Sequence, residues 1–326
     1  MTLLISDADV RSVFDWRTAI EALRLAYSAD DDEARFPGRS IARGDAGWLR
    51  VLSGVPGDGG LMGAKIIAAA PRAGRVSYLI ALFDQASTEL VALVDGNAIT
   101  GFRTAATSAL AVDLLAGQEP LTVGLLGSGF EAAKHLRAVA AARPVAEVKV
   151  YSPRAESRER FVAEFADLGV PVLAVAAPRE AVAGASLVVC AARSRDETPI
   201  LRGEWLEPGM TVVSIGSTVP EQREIDPVSI ARADVIVADV VAEAVRDTGD
   251  FIAARAAGVT DHDRVGSLAG LVGGRVPGRT AEWQIALYKS VGSALQDLAI
   301  ATMCARAAEK AGLGTRFAVP IDVVRK

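Results

Sequence analysis

Cysteine is nearly absent: the 326 residues hold two, Cys190 in a strand-like apolar run and Cys304 in a helix-like one. That excludes a disulfide framework and a cysteine-rich metal site, and both thiols read as buried hydrophobes. Histidine is as scarce, and His135 and His262 stand far apart without metal-ligand spacing, so no metal is expected. No run approaches the ~18 uninterrupted apolar residues of a membrane helix. The opening "MTLLISDADV" also lacks the basic segment and long apolar core of a secretory signal, which places the protein in the cytoplasm with no membrane partner. Excess positive charge is missing too. A formal net charge of −5 argues against a nucleic-acid partner, although a local basic pocket remains open.

What is present is material for a large core, with 51% hydrophobic and 23% charged residues in a length that suits two domains. "SDADV" at Ser6 has the form of a capping box, Ser6 accepting from the Asp9 amide and Asp9 reaching back. Trp16, Ile20, Leu23 and Tyr27 then follow at helical spacing, so the opening reads as two short helices or one interrupted helix. Between Ile41 and Val94, "WLRVLSGVP", "GAKIIAAAP", "VSYLIALFD" and "ELVALVD" predict an antiparallel meander. The Ala-rich "GNAITGFRTAATSALAVDLLA" is helical in period and leads to a boundary near Gly117 to Leu121.

Beyond it strands and helices alternate: "LTVGLLG", a helix to about Ala142, "EVKVYS", "AESRERFVAEFADLG", "VPVLAV", "PREAVAGA", "LVVCAA", "MTVVSIGS" and "DVIVADV". This order predicts a parallel sheet with helical crossovers. The segment "ALYKSVGSALQDLAIATMCARAAEKAGLG" reads as one long helix returning to the first domain. The fold class is therefore α/β: a Rossmann domain at 118–294 and an α+β domain at 1–117 plus about 295–326.

The strongest local signal is Gly127-Ser128-Gly129-Phe130-Glu131-Ala132, a G-x-G-x-x-A between a strand and a helix. Gly127 permits the tight turn, Gly129 lets backbone approach a pyrophosphate, and Ala132 allows close helix–sheet packing at a helix N-terminus that attracts anions. At the end of the next strand, "VYSPRAESR" has Ser152 and Arg154 where an acid for the ribose of NAD would stand, with Ser157 and Arg158 just beyond. That favours NADPH and leaves NADH as an alternative cofactor. Solvated residues at a helix start are the plainer reading of both arginines.

With these blocks in order, the chain resembles the ornithine cyclodeaminase and mu-crystallin family. The resemblance runs through "GAKII", "LFDQASTELVALVDGNAITGFRTAATSALA", "GLLGSGFEAAKHL", "PILRGEWLEPGMTVVSIGSTVPEQREID" and "YKSVGSALQDLAIA". It implies a substrate and dimerisation domain that pairs through its sheet, a Rossmann domain, an active site in the cleft and a homodimer acting on a small molecule.

Lys65 lies in the apolar strand "GAKIIAAA", where an ammonium is costly unless it faces a cleft or an anion. Arg103 opens "RTAATSALA" with a fork suited to a carboxylate. The residues alone equally allow a solubilising edge-strand lysine and a structural ion-pair arginine. The resemblance makes Lys65 the active-site lysine, Arg103 the substrate-carboxylate arginine and Arg39 a third basic residue near the substrate, a set suited to an α-imino or α-keto acid. Arg50, if its strand turns it inward, would take a second carboxylate; alternation allows an outward arginine equally. The resemblance also sets Ser290 and Gly292 beside the nicotinamide and Ser217 at the cofactor.

Lys289 belongs to the same "YKSVGSALQD" block, Asp297 reads as structural, and Arg275 and Arg279 read as surface residues of a Gly-Pro loop. The cyclodeaminase pattern carries an aspartate just before the proline of "SIGSTVPEQREID", where this chain has Ser217, Thr218 and Val219. The expected activity is therefore NAD(P)H-dependent reduction of an α-imino acid or cyclic ketimine carboxylate. The alternatives are a cyclodeaminase-type lyase using NAD and a mu-crystallin-like NADPH-dependent binding protein.

Overall fold

A computed structural model describes residues 1–29, 32–192, 198–259, 264–318 and 323–324; His262 lies outside the described residues. The chain divides into two compact units, Met1–Thr104 with Ser293–Lys326, and Ala105–Gly292.

The first unit begins with a strand that the sequence reading missed, β1 (Thr2–Ile5). Ser6 then caps α1 (Asp7–Val13): its hydroxyl accepts from the Asp9 amide and its own amide donates to the Asp9 carboxylate. The box ends β1 and starts α1 within one residue. Helix α2 (Trp16–Ala29) buries Ala19, Ile20, Leu23 and Tyr27 along one stripe. After β2 (Ser40–Arg43) come the expected meander strands β3 (Trp48–Gly54), β4 (Leu61–Ala70), β5 (Arg75–Asp84) and β6 (Leu90–Asp95). Their pairings are antiparallel throughout.

Helix α3 (Asn97–Leu115) carries the division between units, after Thr104, inside the helix and not in the loop behind it. The second unit follows as β7 (Leu121–Leu126), α4 (Phe130–Ala142), β8 (Val145–Tyr151), α5 (Ala155–Glu164), β9 (Val172–Ala174), α6 (Pro178–Val182) and β10 (Leu187–Cys190). It continues through β11 (Thr211–Ser214), α7 (Pro227–Arg232), β12 (Val235–Ala238), α8 (Val241–Asp247), α9 (Gly249–Ala256), β13 (Val265–Ser267), α10 (Leu268–Val272) and β14 (Ala286–Lys289).

These eight strands lie in the order β13-β12-β14-β11-β10-β7-β8-β9, every pairing parallel. The unit starts inside the sheet, at β7, runs to one edge through β8 and β9 and toward the other through β10 and β11, and inserts β14 last, between β11 and β12. In such sheets ligands bind beyond the carboxyl ends of the strands where the order reverses, here β7 and β10.

"ALYK" is β14, a strand between β11 and β12, and corrects the expected single long helix. All four residues are buried, as befits a central parallel strand covered on both faces. The helix begins only after the turn, as α11 (Ala294–Lys310), followed by β15 (Thr315–Phe317), which pairs with β1. The first unit's sheet thus reads β15-β1-β6-β5-β4-β3-β2. Cys190 and Cys304 are both buried, as expected. Among the described residues no helix is long and apolar enough to cross a membrane, and no cluster could hold a metal ion.

Candidate functional site

Lys65 projects from β4, which is paired on both sides, so it is no edge-strand lysine: Leu52 stands opposite it on β3 and Ile80 on β5. It is 1% exposed. An ammonium so placed needs an anion, and finds one in Asp297 of the first turn of α11, whose Oδ1 accepts from Lys65 Nζ at 2.9 Å. Arg103 Nε lies 3.2 Å from the same oxygen. Arg103 Nη1 donates to Gln296 Oε1 at 2.7 Å, and Gln296 Nε2 donates to the Tyr27 hydroxyl at 2.8 Å. The Tyr78 ring lies 5.5 Å from Lys65 Nζ.

Desolvation pulls the Lys65 pKa down to about 8; the Asp297 carboxylate opposes that, and the charges of Arg103 and Arg39 add to it. Arg39 precedes β2 and is half-buried. Arg50 sits opposite Ile67, which puts it on the same sheet face as Leu52 and Lys65. The outward orientation is therefore ruled out for Arg50, whose guanidinium lies over the Trp48 ring at 5.0 Å. Asp297, expected to be structural, is the anion that joins Lys65 to Arg103. No local pattern on α11 announces it, because both partners are far away in sequence.

In the second unit the glycine turn closes β7. Gly127 has φ +127°, and a Cβ there would sit 2.6 Å from the Ala191 carbonyl oxygen, so only glycine fits. Gly129 is the N-cap of α4, and a Cβ on it would meet no protein atom within 4 Å. The turn is tight where it packs and open at the helix N-terminus, the shape a pyrophosphate needs. Ala132 is fully buried beneath it, whereas Glu131 is half-buried and Ser128 and Phe130 border the turn. Gly127 N donates to the Tyr151 carbonyl, which brings the end of β8, and with it Ser152 and Arg154, next to the turn. Arg154 is exposed at the N-cap of α5; Arg158 donates to the Ser152 carbonyl, and Ser157 is buried.

Ser290 and Gly292 follow β14. The Asp239 carboxylate, at the end of β12, accepts from Ser290 Oγ (2.8 Å), Val291 N (2.8 Å) and Gly292 N (2.9 Å), which locks this loop. Gly292 holds φ +83°. Ser217 is buried and donates to the Gln222 carbonyl; Thr218 N donates to Gln222 Oε1 at 3.2 Å.

Beneath lies a buried charge cluster that sequence reasoning did not find. Lys289 Nζ donates to Asp250 Oδ2 (2.7 Å) and Ser214 Oγ (2.9 Å), while Glu224 Oε2 accepts from Ser214 Oγ and Gly216 N, each at 2.8 Å. Burial raises Glu224 to about 7, against the pull of Lys289. His135 is a core histidine, held by the Glu131 carbonyl and Ser108. Arg279 corrects the expectation of a surface residue: half-buried, it donates to the carbonyls of Leu115 and Met210 and to Thr211 Oγ1.

Fold and turn define a two-unit α/β protein with a dinucleotide-type Rossmann unit and, within the first unit, a cationic array from β4 and α3 anchored by a carboxylate of α11. A sequence model of the ornithine cyclodeaminase/mu-crystallin family matches residues 41–311, and the chain belongs to that family. It is 32% identical to the iminosuccinate reductase of Paracoccus denitrificans over 71% of each chain. In structure it is similar to the Thermococcus litoralis Delta(1)-pyrroline-2-carboxylate reductase in complex with NADH and L-proline, with TM-score 0.89, 26% identity, and 97% of this chain and 100% of that one covered. An archaeal alanine dehydrogenase dimer with bound NAD gives TM-score 0.88 at 25% identity, covering 97% and 99%.

Proposed function

We propose that the protein is an NAD(P)H-dependent oxidoreductase that reduces the C=N bond of an α-imino acid or cyclic ketimine carboxylate to the amino acid. The observation that carries this reading is the buried Lys65–Asp297–Arg103 array. Arg103 would hold the substrate carboxylate, with Arg39 adding charge nearby, and Lys65 would give its Nζ proton to the substrate nitrogen. The two imine-reducing relatives support the same chemistry. The inward Arg50 extends the substrate class to imines with a second carboxylate.

The bound cofactor supplies the hydride. Gly127, Ser128, Gly129 and the start of α4 would hold its pyrophosphate, Ser152 and Arg154 the adenosine ribose or its phosphate, and Ser217, Ser290 and Gly292 the nicotinamide end. The arginine and serine after β8 favour NADPH over NADH. Ser217, Thr218 and Val219 provide no carboxylate, which weighs against the cyclodeaminase alternative.

A homodimer fits the outer face of the first unit's sheet. Leu4, Leu49 and Leu79 are 46%, 45% and 39% exposed there, and Leu4 stands in a row with Leu93, Ala81 and Ala64. A contiguous apolar sheet face is the kind of surface a second copy covers. Sedimentation velocity is expected to show twice the chain mass.

The activity is tested by following reduced-nicotinamide absorbance with cyclic ketimines and with α-keto acids plus ammonia or methylamine, in parallel NADPH and NADH series. Turnover of imines, faster with NADPH, is expected; conversion of ornithine to proline and ammonia in its place would overturn the reading. Gly129→Ser separates binding from folding. Serine is a good N-cap and meets no protein atom, so the thermal midpoint without cofactor should hold while the dissociation constant for NADPH rises at least tenfold.

A further inference from the structure

We infer that Asp297 is a positioning residue for imine reduction: it holds the Lys65 ammonium and the Arg103 guanidinium in one array, the first as proton donor and the second as carboxylate fork. This rests on the proposed reaction and adds to it a residue that touches neither substrate nor cofactor.

Three observations converge. Asp297 is fully buried and a single oxygen, Oδ1, serves both cations, at 2.9 Å to Lys65 Nζ and 3.2 Å to Arg103 Nε. Those cations come from two separate elements, β4 and α3, and the carboxylate on a third, α11, bridges them. Its neighbour Gln296 takes a second edge of the same guanidinium, and its amide nitrogen is tied to Tyr27. Two consecutive residues in the first turn of α11 therefore orient Arg103 in two directions.

Among the described residues, the charged and titratable groups facing Lys65 are Asp297 from α11, Arg103 from α3, Arg39 from the segment before β2 and Tyr78 from β5. Asp297 is the one anion among them. Two cations and burial favour the neutral amine; among the charged groups named, the carboxylate is the one that favours the ammonium. Without it, Lys65 would lose its proton at lower pH and have none to give in the neutral range.

The test is the titration of Lys65 itself, read by NMR on protein labelled with 13C at lysine Cε. The chain has only six lysines, and Lys65→Arg identifies the signal. In the wild type a midpoint near 8 is expected. In Asp297→Asn the midpoint should fall by at least one pH unit, and the descending alkaline limb of kcat/KM should move down with it. The substrate's own titration is common to both proteins and cancels in the comparison. KM for the imino acid should rise severalfold as Arg103 loses one anchor. Gln296→Met should raise KM alone and leave the Lys65 midpoint in place.

A folded, NADPH-binding Asp297→Asn protein with unmoved midpoint and limb overturns the inference. So does a wild-type Lys65 midpoint well below 7, which keeps the question answerable if the variant does not fold. The NMR titration needs no substrate, so absence of imine turnover in the wild type would count against the proposed reaction separately.

Discussion

Replacing Lys65 with methionine is expected to lower kcat/KM for imine reduction by about 100- to 10,000-fold, the range that a positioned proton donor supplies. Methionine fills most of the lysine volume and is at home between Leu52 and Ile80. Asp297 keeps its Arg103 partner at 3.2 Å, so its buried charge is not abandoned. The variant should therefore fold and still bind the nicotinamide cofactor, whose proposed seat is the glycine turn of the other unit. Nicotinamide fluorescence on binding, beside steady-state turnover, makes the distinction. Retained turnover, or lost turnover explained by lost cofactor binding, would assign Lys65 a different task. The wild-type rate should also decline as pH rises through about 8, where Lys65 gives up its proton; Lys65→Met should lack that limb.

The second large effect is one of stability. Lys289 is fully buried, and it is the cation shared by Asp250, at 2.7 Å, and by Glu224 through the common Ser214 hydroxyl. Lys289→Met would leave two buried carboxylates with no cation bonded to either among the described residues. Breaking a buried pair from one side costs about 3–5 kcal/mol, which at roughly 2–4 °C per kcal/mol for a unit of this size means a thermal midpoint lower by about 6–20 °C.

The pH dependence has a definite sign. A buried carboxyl with a raised pKa binds its proton more tightly folded than unfolded, so stability rises as pH falls through the folded value. Glu224 is already raised to about 7, and losing Lys289 raises it further. The gap between variant and wild type should be widest in alkaline buffer and narrow toward pH 5. Scanning calorimetry at pH 5, 7 and 9 checks this; a gap independent of pH would mean that packing, and not charge, is lost.

Local patterns in the sequence carried the architecture where local physics decides it. The Ser6–Asp9 box, the stripe on α2 and the Gly127–Ala132 turn each need only neighbours within a few residues, and each is where it was expected. "ALYK" and "TLLI" were harder. Both are four-residue strands, too short to show a period, and β14 is buried on both faces, which removes the alternation that betrays a half-exposed strand. The same limit applied to the site. Lys65 stood out because an ammonium in an apolar run is conspicuous, but Asp297, Gln296 and the Lys289 cluster depend on partners many residues away. An aspartate in the first turn of a helix is unremarkable until its partner is known. Arg279 was misread for a related reason: its Gly-Pro surroundings suggest solvent, and only the tertiary fold shows the carbonyls that it gathers.

The first unit is assembled from both ends of the chain, with the whole second unit inserted between them. On a ribosome, the second unit is contiguous and can settle as it emerges, whereas the sheet that bears Lys65 waits for α11. The 232 residues between Lys65 and Asp297 take on the order of ten to fifty seconds to translate at roughly 5–20 residues per second. Throughout that interval the nascent sheet holds a lysine without its carboxylate and lacks the helix that covers its inner face. Chaperones that shield apolar sheet surface thus have their natural window before α11 appears. A chain halted short of residue 297 retains a complete glycine turn yet never acquires the ion pair.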